Sequence, residues 1–438
     1  MSGTASPAQS VELLRFSTCG SVDDGKSTLI GRLLHDSKSI FEDQLQALER
    51  TREQRGEASL NLANLTDGLR AEREQGITID VAYRYFATPK RRFIVADTPG
   101  HVQYTRNMVT GASTASLALV LVDARKGVIE QTRRHSYVAS LLGIPHLVLC
   151  VNKMDLVGFS EEVYENIRRE FTIFSTRLRI RHITFIPMSG LLGDNVVERS
   201  LNMPWYQGEP LLSFLEDVHI ASDWNLQDGR FPVQWVIRLQ DVGDRGSRGY
   251  AGQIASGVFR VGDRVLVLPS GRYSKISDIK LMNQSLKVAH APMSVSFLLE
   301  DEIDVGRGDL IVAVDNLPCM SREADAMLCW MHQTSLQLGK KYLIKHTTNA
   351  TKGVITSIHC RTNVETLDEE EAFALELNEI GKVSIRTATP LVFDEYYRNR
   401  RLGGFIVIDE GSNATVGAGM LIEPTKTPPL PEYTDYAI

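Results

Sequence analysis

The chain has 438 residues, 43% of them hydrophobic, with a formal net charge of −6 and a pI near 6.0. That length predicts about three domains, each able to bury its own core, and the acidic balance speaks against a broad nucleic-acid footprint. The strongest apolar runs, 118–122 and 147–151, fall far short of the roughly 18 residues a membrane span needs, so no membrane contact is expected.

Residues 1–10 read as a short mobile tail without signal-peptide character. The first predicted element is a strand over 13–19. It runs directly into Gly20, Ser21, Val22, Asp23, Asp24, Gly25, Lys26 and Ser27, the glycine-rich pattern G-x-x-x-x-G-K-[ST]. Backbone N–H groups of such a loop, and of a helix beginning at Lys26, converge on a phosphate. Lys26 supplies a point charge for the β- and γ-phosphates, and the Ser27 hydroxyl, with Thr28 beside it, an oxygen ligand for Mg²⁺. The helix is expected over 26–34. A polar, leucine-punctuated insertion then spans 35–65, and its residues fit an extra helical arm and a mobile loop equally well.

A charged run from Asp67 to Glu74 ends in Gly76-Ile77-Thr78-Ile79 before a strand. Thr78 is the candidate second hydroxyl ligand of Mg²⁺. Its contact would exist only with the triphosphate, so hydrolysis would release the segment. The next strand, 92–96, closes on Asp97-Thr98-Pro99-Gly100-His101. Asp97 stands where a metal-anchoring carboxylate belongs, Gly100 leaves an N–H for the γ-phosphate, and His101 is the candidate catalytic group. A neutral imidazole would position water, whereas an imidazolium would also stabilise phosphoryl charge. A helix is expected over 108–115.

A helix over 130–142 and a strand over 146–151 lead to Asn152-Lys153-Met154-Asp155. One carboxylate there can accept both N1–H and N2–H of guanine, a pair of donors that adenine lacks, so Asp155 selects guanine. Asn152 braces the loop and the Lys153 stem covers the ring. A further helix over 161–174 and a strand over 184–188 precede Ser189-Gly190-Leu191, whose backbone would meet the guanine O6. These motifs follow one another in order at strand ends, where an open α/β sheet places its ligand. A last helix, 211–217, completes a doubly wound, mostly parallel sheet in a GTP-binding domain expected over 11–222.

After residue 222 the pattern changes to short alternating strands broken by glycine. Strands at 233–240, 250–259 and 264–269 predict one antiparallel β-barrel over 223–320. Those at 342–346, 352–361, 372–377, 381–387 and 404–408 predict a second over 321–438, ending in a proline-rich tail. The five cysteines, Cys19, Cys150, Cys319, Cys329 and Cys360, form no C-x-x-C pair, which fits reduced thiols in a cytoplasm rather than a zinc site. Basic clusters at 90–92, 177–181 and 398–401 read as solvated edges or partner contacts.

Gly-Ile-Thr-Ile, Asp-x-Pro-Gly-His, and Tyr104-Thr105-Arg106-Asn107-Met108 followed by Thr110-Gly111 resemble the translation-factor-type GTPases, the group that includes elongation factor Tu. Within that group, three stretches resemble the GTPase-subunit family of bacterial sulfate adenylyltransferase. They are residues 103–108, Asp123-Ala124-Arg125-Lys126-Gly127-Val128 with 131–135, and Asn413-Ala414-Thr415-Val416-Gly417-Ala418-Gly419-Met420. The resemblance implies GTP hydrolysis coupled to formation of adenosine 5′-phosphosulfate and pyrophosphate from ATP and sulfate. The adenylyl transfer would occur on a separate, smaller catalytic subunit, and an adenylylsulfate kinase, as a domain or a protein, is a further associated activity. It also implies that Val22 and Ile77 flank His101 and hold it from the γ-phosphate until a partner moves them. Gln75 departs from the arginine usual in elongation factors. Two other functions remain open at this level: a translation factor carrying aminoacyl-tRNA, and a regulatory GTP-binding module that drives no chemistry.

Overall fold

A computed structural model describes residues 12–38, 62, 80–100, 105–220, 224–238, 248–282 and 284–423. The chain forms two compact units, the first of residues 1–220 with 364–367 and the second of residues 221–363 with 368–438.

The first unit is organised by a six-stranded sheet. Its strands are β1 (Leu13–Cys19), β2 (Ala82–Ala87), β3 (Arg92–Asp97), β4 (Leu117–Asp123), β5 (His146–Asn152) and β6 (His182–Pro187), in the order β2-β3-β1-β4-β5-β6. All pairs are parallel except β2 with β3. Every residue of β4 and β5 is buried, which is why both read as unbroken apolar runs rather than alternating ones. Beneath the sheet Phe86 stacks on Phe93 at 4.5 Å and Phe16 meets both rings edge-on at 6.4 Å, a geometry that adds about 0.5–1.5 kcal/mol per pair beyond burial. The order reverses at β1, flanked by β3 and β4. A doubly wound sheet opens its ligand crevice at such a switch point.

Among the described residues five helices connect the strands: α1 (Lys26–Asp36), α2 (Thr105–Ala112), α3 (Glu130–Leu141), α4 (Glu161–Ser175) and α5 (Leu211–Asp217). The Ser160 hydroxyl caps α4 by accepting from the Val163 N–H, with Glu161 and Glu162 in the first turn complementing the dipole. α2 starts and stops three residues earlier than expected. Thr110 Oγ1 donates to the Arg106 carbonyl and Ser113 Oγ to that of Thr110, so hydroxyls turn back onto the last turn and end it. The basic cluster at 90–92 is also not a solvated edge throughout. Arg91 is 2% exposed and donates to the carbonyls of Leu215 (3.0 Å) and Val218 (2.6 Å), closing the end of α5. Of the insertion at 35–65, only residues 35–38, which finish α1, and Leu62 lie within the described residues. Leu62 is buried, and a Cβ at Gly31 of α1 would collide with its backbone.

The second unit contains two barrels. The first runs in the order Arg230–Pro232, Leu310–Ala313, Arg264–Leu268, Arg272–Leu281, Ser294–Leu299, Arg248–Gln253, Trp235–Arg238. Its end strands are consecutive in the chain. Across their junction Val233 N–H donates to Asp309 O and Gln234 N–H to Ala251 O, both at 2.9 Å, and the sheet closes on itself. The expected strand over 250–259 is two strands, Arg248–Gln253 and Val258–Arg260. Gly257 breaks it: its φ is +81°, and a Cβ there would lie 2.4 Å from Gly229 Cα.

The second barrel closes six strands in the order Lys341–His346, Gly404–Asp409, Thr415–Glu423, Cys319–Trp330, Ile380–Phe393, Asn349–Thr362 and back to the first. The expected strand over 372–377 does not form. Glu376 N–H turns onto Glu379 Oε2, and Leu375 plugs the core at 0% exposure, so its apolar residues serve as a stopper rather than a ladder.

A buried polar network ties the two barrels. Arg230, 0% exposed, donates from Nε and Nη2 to Asp394 at 3.0 and 3.1 Å and from Nη1 to Asn316 O at 2.8 Å. Asn399 Nδ2 bridges Asp394 and Ser256, and Arg398 grips Asp228 with two bonds of 2.8 and 2.9 Å. The basic run at 398–401 therefore joins the barrels while still facing solvent in part: Arg398 stays exposed beyond its pairing with Asp228, and Arg401 bonds Gln253 and lies over Trp224.

Candidate nucleotide site

The loop between β1 and α1 is shaped by residues whose backbone enters the left-handed region. Asp23 has φ 68° and Gly25 φ 92°, and at Gly25 a side chain is also barred, because a Cβ would lie 2.5 Å from Asn152 Nδ2. Asp24, 1% exposed, accepts the Ser21 N–H at 2.6 Å through Oδ2, an internal clamp on the loop. Its other oxygen has no partner, and burial, against the Ser21 bond and the Lys26 charge, raises its pKa.

Lys26, 7% exposed at the head of α1, bends back so that Nζ donates to the carbonyls of Gly20 (3.0 Å) and Ser21 (2.9 Å). Burial lowers its pKa in spite of Asp97 and Asp24 nearby. An ammonium held in a dry loop mouth is a strong attractor for an anion that would replace its lost hydration. Ser27 and Thr28 follow on the helix, each partly exposed.

Gly100 closes the opposite wall. A Cβ there would meet Gly20 O at 2.4 Å and Lys26 Nζ at 2.6 Å, so this backbone lies against the ammonium and any larger residue would fill the cradle. Asp97, 2% exposed, accepts the Thr18 hydroxyl at 3.0 Å across the β1/β3 pair, and Thr98 donates to Thr18 O at 2.6 Å. These two bonds fix the Asp97-Thr98-Pro99-Gly100 corner beside the phosphate loop. His101, Thr78 and Ile77 lie outside the described residues.

The second half of the site forms at the end of β5. Asn152, 2% exposed, donates through Nδ2 to Asp24 O and accepts the Gly190 N–H through Oδ1, both at 2.8 Å. One amide thus joins the phosphate loop to the loop carrying Ser189 and Gly190. Lys153, at φ 62°, stretches over the cleft to the Asp23 carbonyl and pairs with Asp123 Oδ2 at 3.1 Å. Met154 is buried and anchors the short 3₁₀ turn Met154–Val157 that carries Asp155. Asp155 Oδ1 is buried with no hydrogen-bond partner. An orphaned carboxylate oxygen in that position is an acceptor for donors from a ligand. Ser189 is buried, its hydroxyl accepting the Leu192 N–H, while Leu191 is half exposed and its carbonyl accepts from Arg32.

Asp123 is the residue that motif reading did not single out as part of the site. Burial alone would raise its carboxyl, but bonds from Arg125 and Lys153 outweigh that and hold it well below the usual carboxylate range. It is a fixed negative counter-charge that orients Lys153. Only the β4/β5 register, which sets Asp123 opposite Asn152, brings the pair together.

The candidate donors fit a nucleoside triphosphate with Mg²⁺: the Gly100 cradle with its buried ammonium, the orphaned Asp155 oxygen, and the all-oxygen set of Ser27 and Asp97 that suits a hard cation. Among the described residues no group of three or more His, Cys, Asp or Glu side chains forms a separate metal cluster, and no helix is long and apolar enough to cross a membrane. Lys26→Ala is expected to weaken GTP binding by about 10- to 100-fold, the worth of a charge-assisted bond to phosphate. Titration with a fluorescent GTP analogue checks this, and undiminished affinity would contradict the phosphate-loop geometry.

Fold and site together define a GTP-binding protein of the elongation factor Tu type. Residues 11–223 match the elongation factor Tu GTP binding domain, and 323–422 the GTP-eEF1A C-terminal domain-like family. The bifunctional enzyme CysN/CysC of Mycobacterium tuberculosis is 56% identical over 412 residues, spanning 94% of this chain and 67% of that protein. Sulfate adenylyltransferase subunit 1 of Pseudoalteromonas atlantica is 51% identical over 434 residues (98% and 91%), and that of Bacteroides fragilis 54% over 414 (94% and 86%). The chain belongs to the sulfate adenylyltransferase subunit 1 family, and its likeness to translation factors is one of fold.

Proposed function

We propose that this chain is the GTPase subunit of a sulfate adenylyltransferase, coupling GTP hydrolysis to the reaction of ATP and sulfate to adenosine 5′-phosphosulfate and pyrophosphate on a separate, smaller subunit. The orphaned Asp155 oxygen and the buried Lys26, on loops that Asn152 joins, support a guanine nucleotide, and the relatives named sulfate adenylyltransferase subunit 1 carry its link to sulfate activation. Mg²⁺, held by Ser27, Asp97 and Thr78, would neutralise charge on the β- and γ-phosphates. Asn152 holds the two halves of the site in register, Lys153 covers the base under the pull of Asp123, and Ser189 and Gly190 offer backbone to its O6. Lys26 binds the phosphates, and the Gly100 N–H senses the third of them.

His101 positions the attacking water, with Val22 and Ile77 as its flanking pair. GTP and its hydrolysis products then favour different conformations of the two-subunit complex, a bias of a few kcal/mol that drives adenylyl transfer. The His101→Ala variant is expected to bind GTP almost normally and to hydrolyse it about 10²-fold more slowly. Single-turnover hydrolysis beside a binding titration separates the two effects. Normal turnover would make the histidine structural and return the catalytic step to another group.

A further inference from the structure

One face of the first unit's sheet is left partly bare, on the side opposite the Phe16, Phe86 and Phe93 stack. The register sets Arg15 and Tyr85 on either side of Ile94, Tyr83 beside Ala96, and Arg92 beside Leu13. Side chains alternate along a strand, so all of these project to the same face. α2 covers only one end of it, because it has eight residues and stops at Ala112. Beyond that stop lies a pocket of about 260 Å³ walled by Arg15, Tyr83, Tyr85, Ile94 and Thr114, opening along the edge strand β2.

Tyr83 and Tyr85 are 44% and 69% exposed. Arg15 and Arg92 are exposed too, and among the described residues neither guanidinium has a hydrogen bond or an ion pair. Several other arginines of this unit are matched, Arg125 to Asp123, Arg133 to Glu170, Arg134 to Glu130 and Arg168 to Glu165, and although Arg106, Arg169 and Arg181 are also without a side-chain partner among the described residues, Arg15 and Arg92 share their face with two exposed tyrosines. Tyrosine and arginine around a pocket, with charge left uncompensated, is the composition of an interface centre rather than of a solvated surface.

We propose that this face docks the partner subunit, and that the partner presents carboxylates around an apolar side chain that enters the pocket. The proposal rests on the two-subunit reading above. Arg15 and Arg92 steer the acidic surface in, and the tyrosine rings and Ile94 bury the apolar anchor. This surface lies on the sheet face away from the strand-end crevice, so it can be altered without touching the nucleotide residues.

The test uses the full chain with its co-purified partner subunit, comparing wild type with Arg15→Glu and Tyr85→Ser. Affinity for the partner is measured at two salt concentrations, and binding of a fluorescent GTP analogue to each variant reports an intact first unit. Each variant is expected to weaken the complex about tenfold or more, and Arg15→Glu to flatten its salt dependence, with GTP affinity within about twofold of wild type. Wild-type partner affinity in both variants overturns the docking surface while leaving the two-subunit reading in place. A variant that loses GTP affinity together with the partner also counts against the surface. Absence of any complex in the wild type overturns the two-subunit reading and this proposal with it.

Discussion

The Asp155→Asn variant is expected to exchange guanine for xanthine, with a swing of about 10⁴-fold in relative affinity between GTP and xanthosine triphosphate. Asp155 Oδ1 is buried and unpartnered, and both carboxylate oxygens are acceptors, which suits the two adjacent donors of the guanine edge. Asparagine offers one acceptor and one donor. Against guanine its amide would face the N2 amino group donor to donor, leaving polar groups buried and unmade. Xanthine carries an oxygen in that place and restores the match. Competition of the two nucleotides for the variant measures the swing, and an unchanged preference for guanine would remove Asp155 from base recognition.

Arg230→Ala is expected to destabilise the second unit by about 3–5 kcal/mol, the cost of leaving one partner of a buried ion pair uncompensated. Arg230 is wholly buried, and its loss would strand Asp394, 5% exposed, with only the Asn399 amide as donor among the contacts described. The effect belongs to the barrels, so denaturant unfolding followed by barrel tryptophans such as Trp330 should shift while GTP binding by the first unit persists. Removing both charges in Arg230→Met with Asp394→Leu should recover much of the loss, because no lone charge then remains buried. A single variant that unfolds at the wild-type midpoint would show that the network does not hold the barrels.

Most of the nucleotide site was legible because its parts are short, contiguous strings at strand ends. Gly20 to Ser27, Asp97 to Gly100 and Asn152 to Asp155 each carry their chemistry within one loop, and the sheet needs only to bring three loops together. What escaped was whatever depends on register or on tertiary pairing. Asp123 meets Lys153 only across the β4/β5 pair, thirty residues apart in sequence, and the local string that contains it does not show that it faces the base-binding lysine. Arg91 carries surface chemistry but is drawn inward by backbone carbonyls, and Arg398 and Arg401, though partly solvated, are tied to Asp228 and Gln253, tertiary pairings that local polarity does not reveal. In the barrels the apolar stretch at 372–377 has strand composition, yet Leu375 is spent as a core plug. Short alternating runs do not separate those two fates. The uncovered face with Tyr83 and Tyr85 was equally silent, since β2 looks like any half-buried strand until the short reach of α2 is seen.

Whether GTP hydrolysis is tied to sulfate activation is read from GTP turnover of the chain with its partner subunit, with and without ATP and sulfate. ATP and sulfate together are expected to stimulate hydrolysis, with adenosine 5′-phosphosulfate appearing in fixed proportion to the GTP consumed. Hydrolysis indifferent to ATP and sulfate, and raised by ribosomes instead, would contradict that coupling.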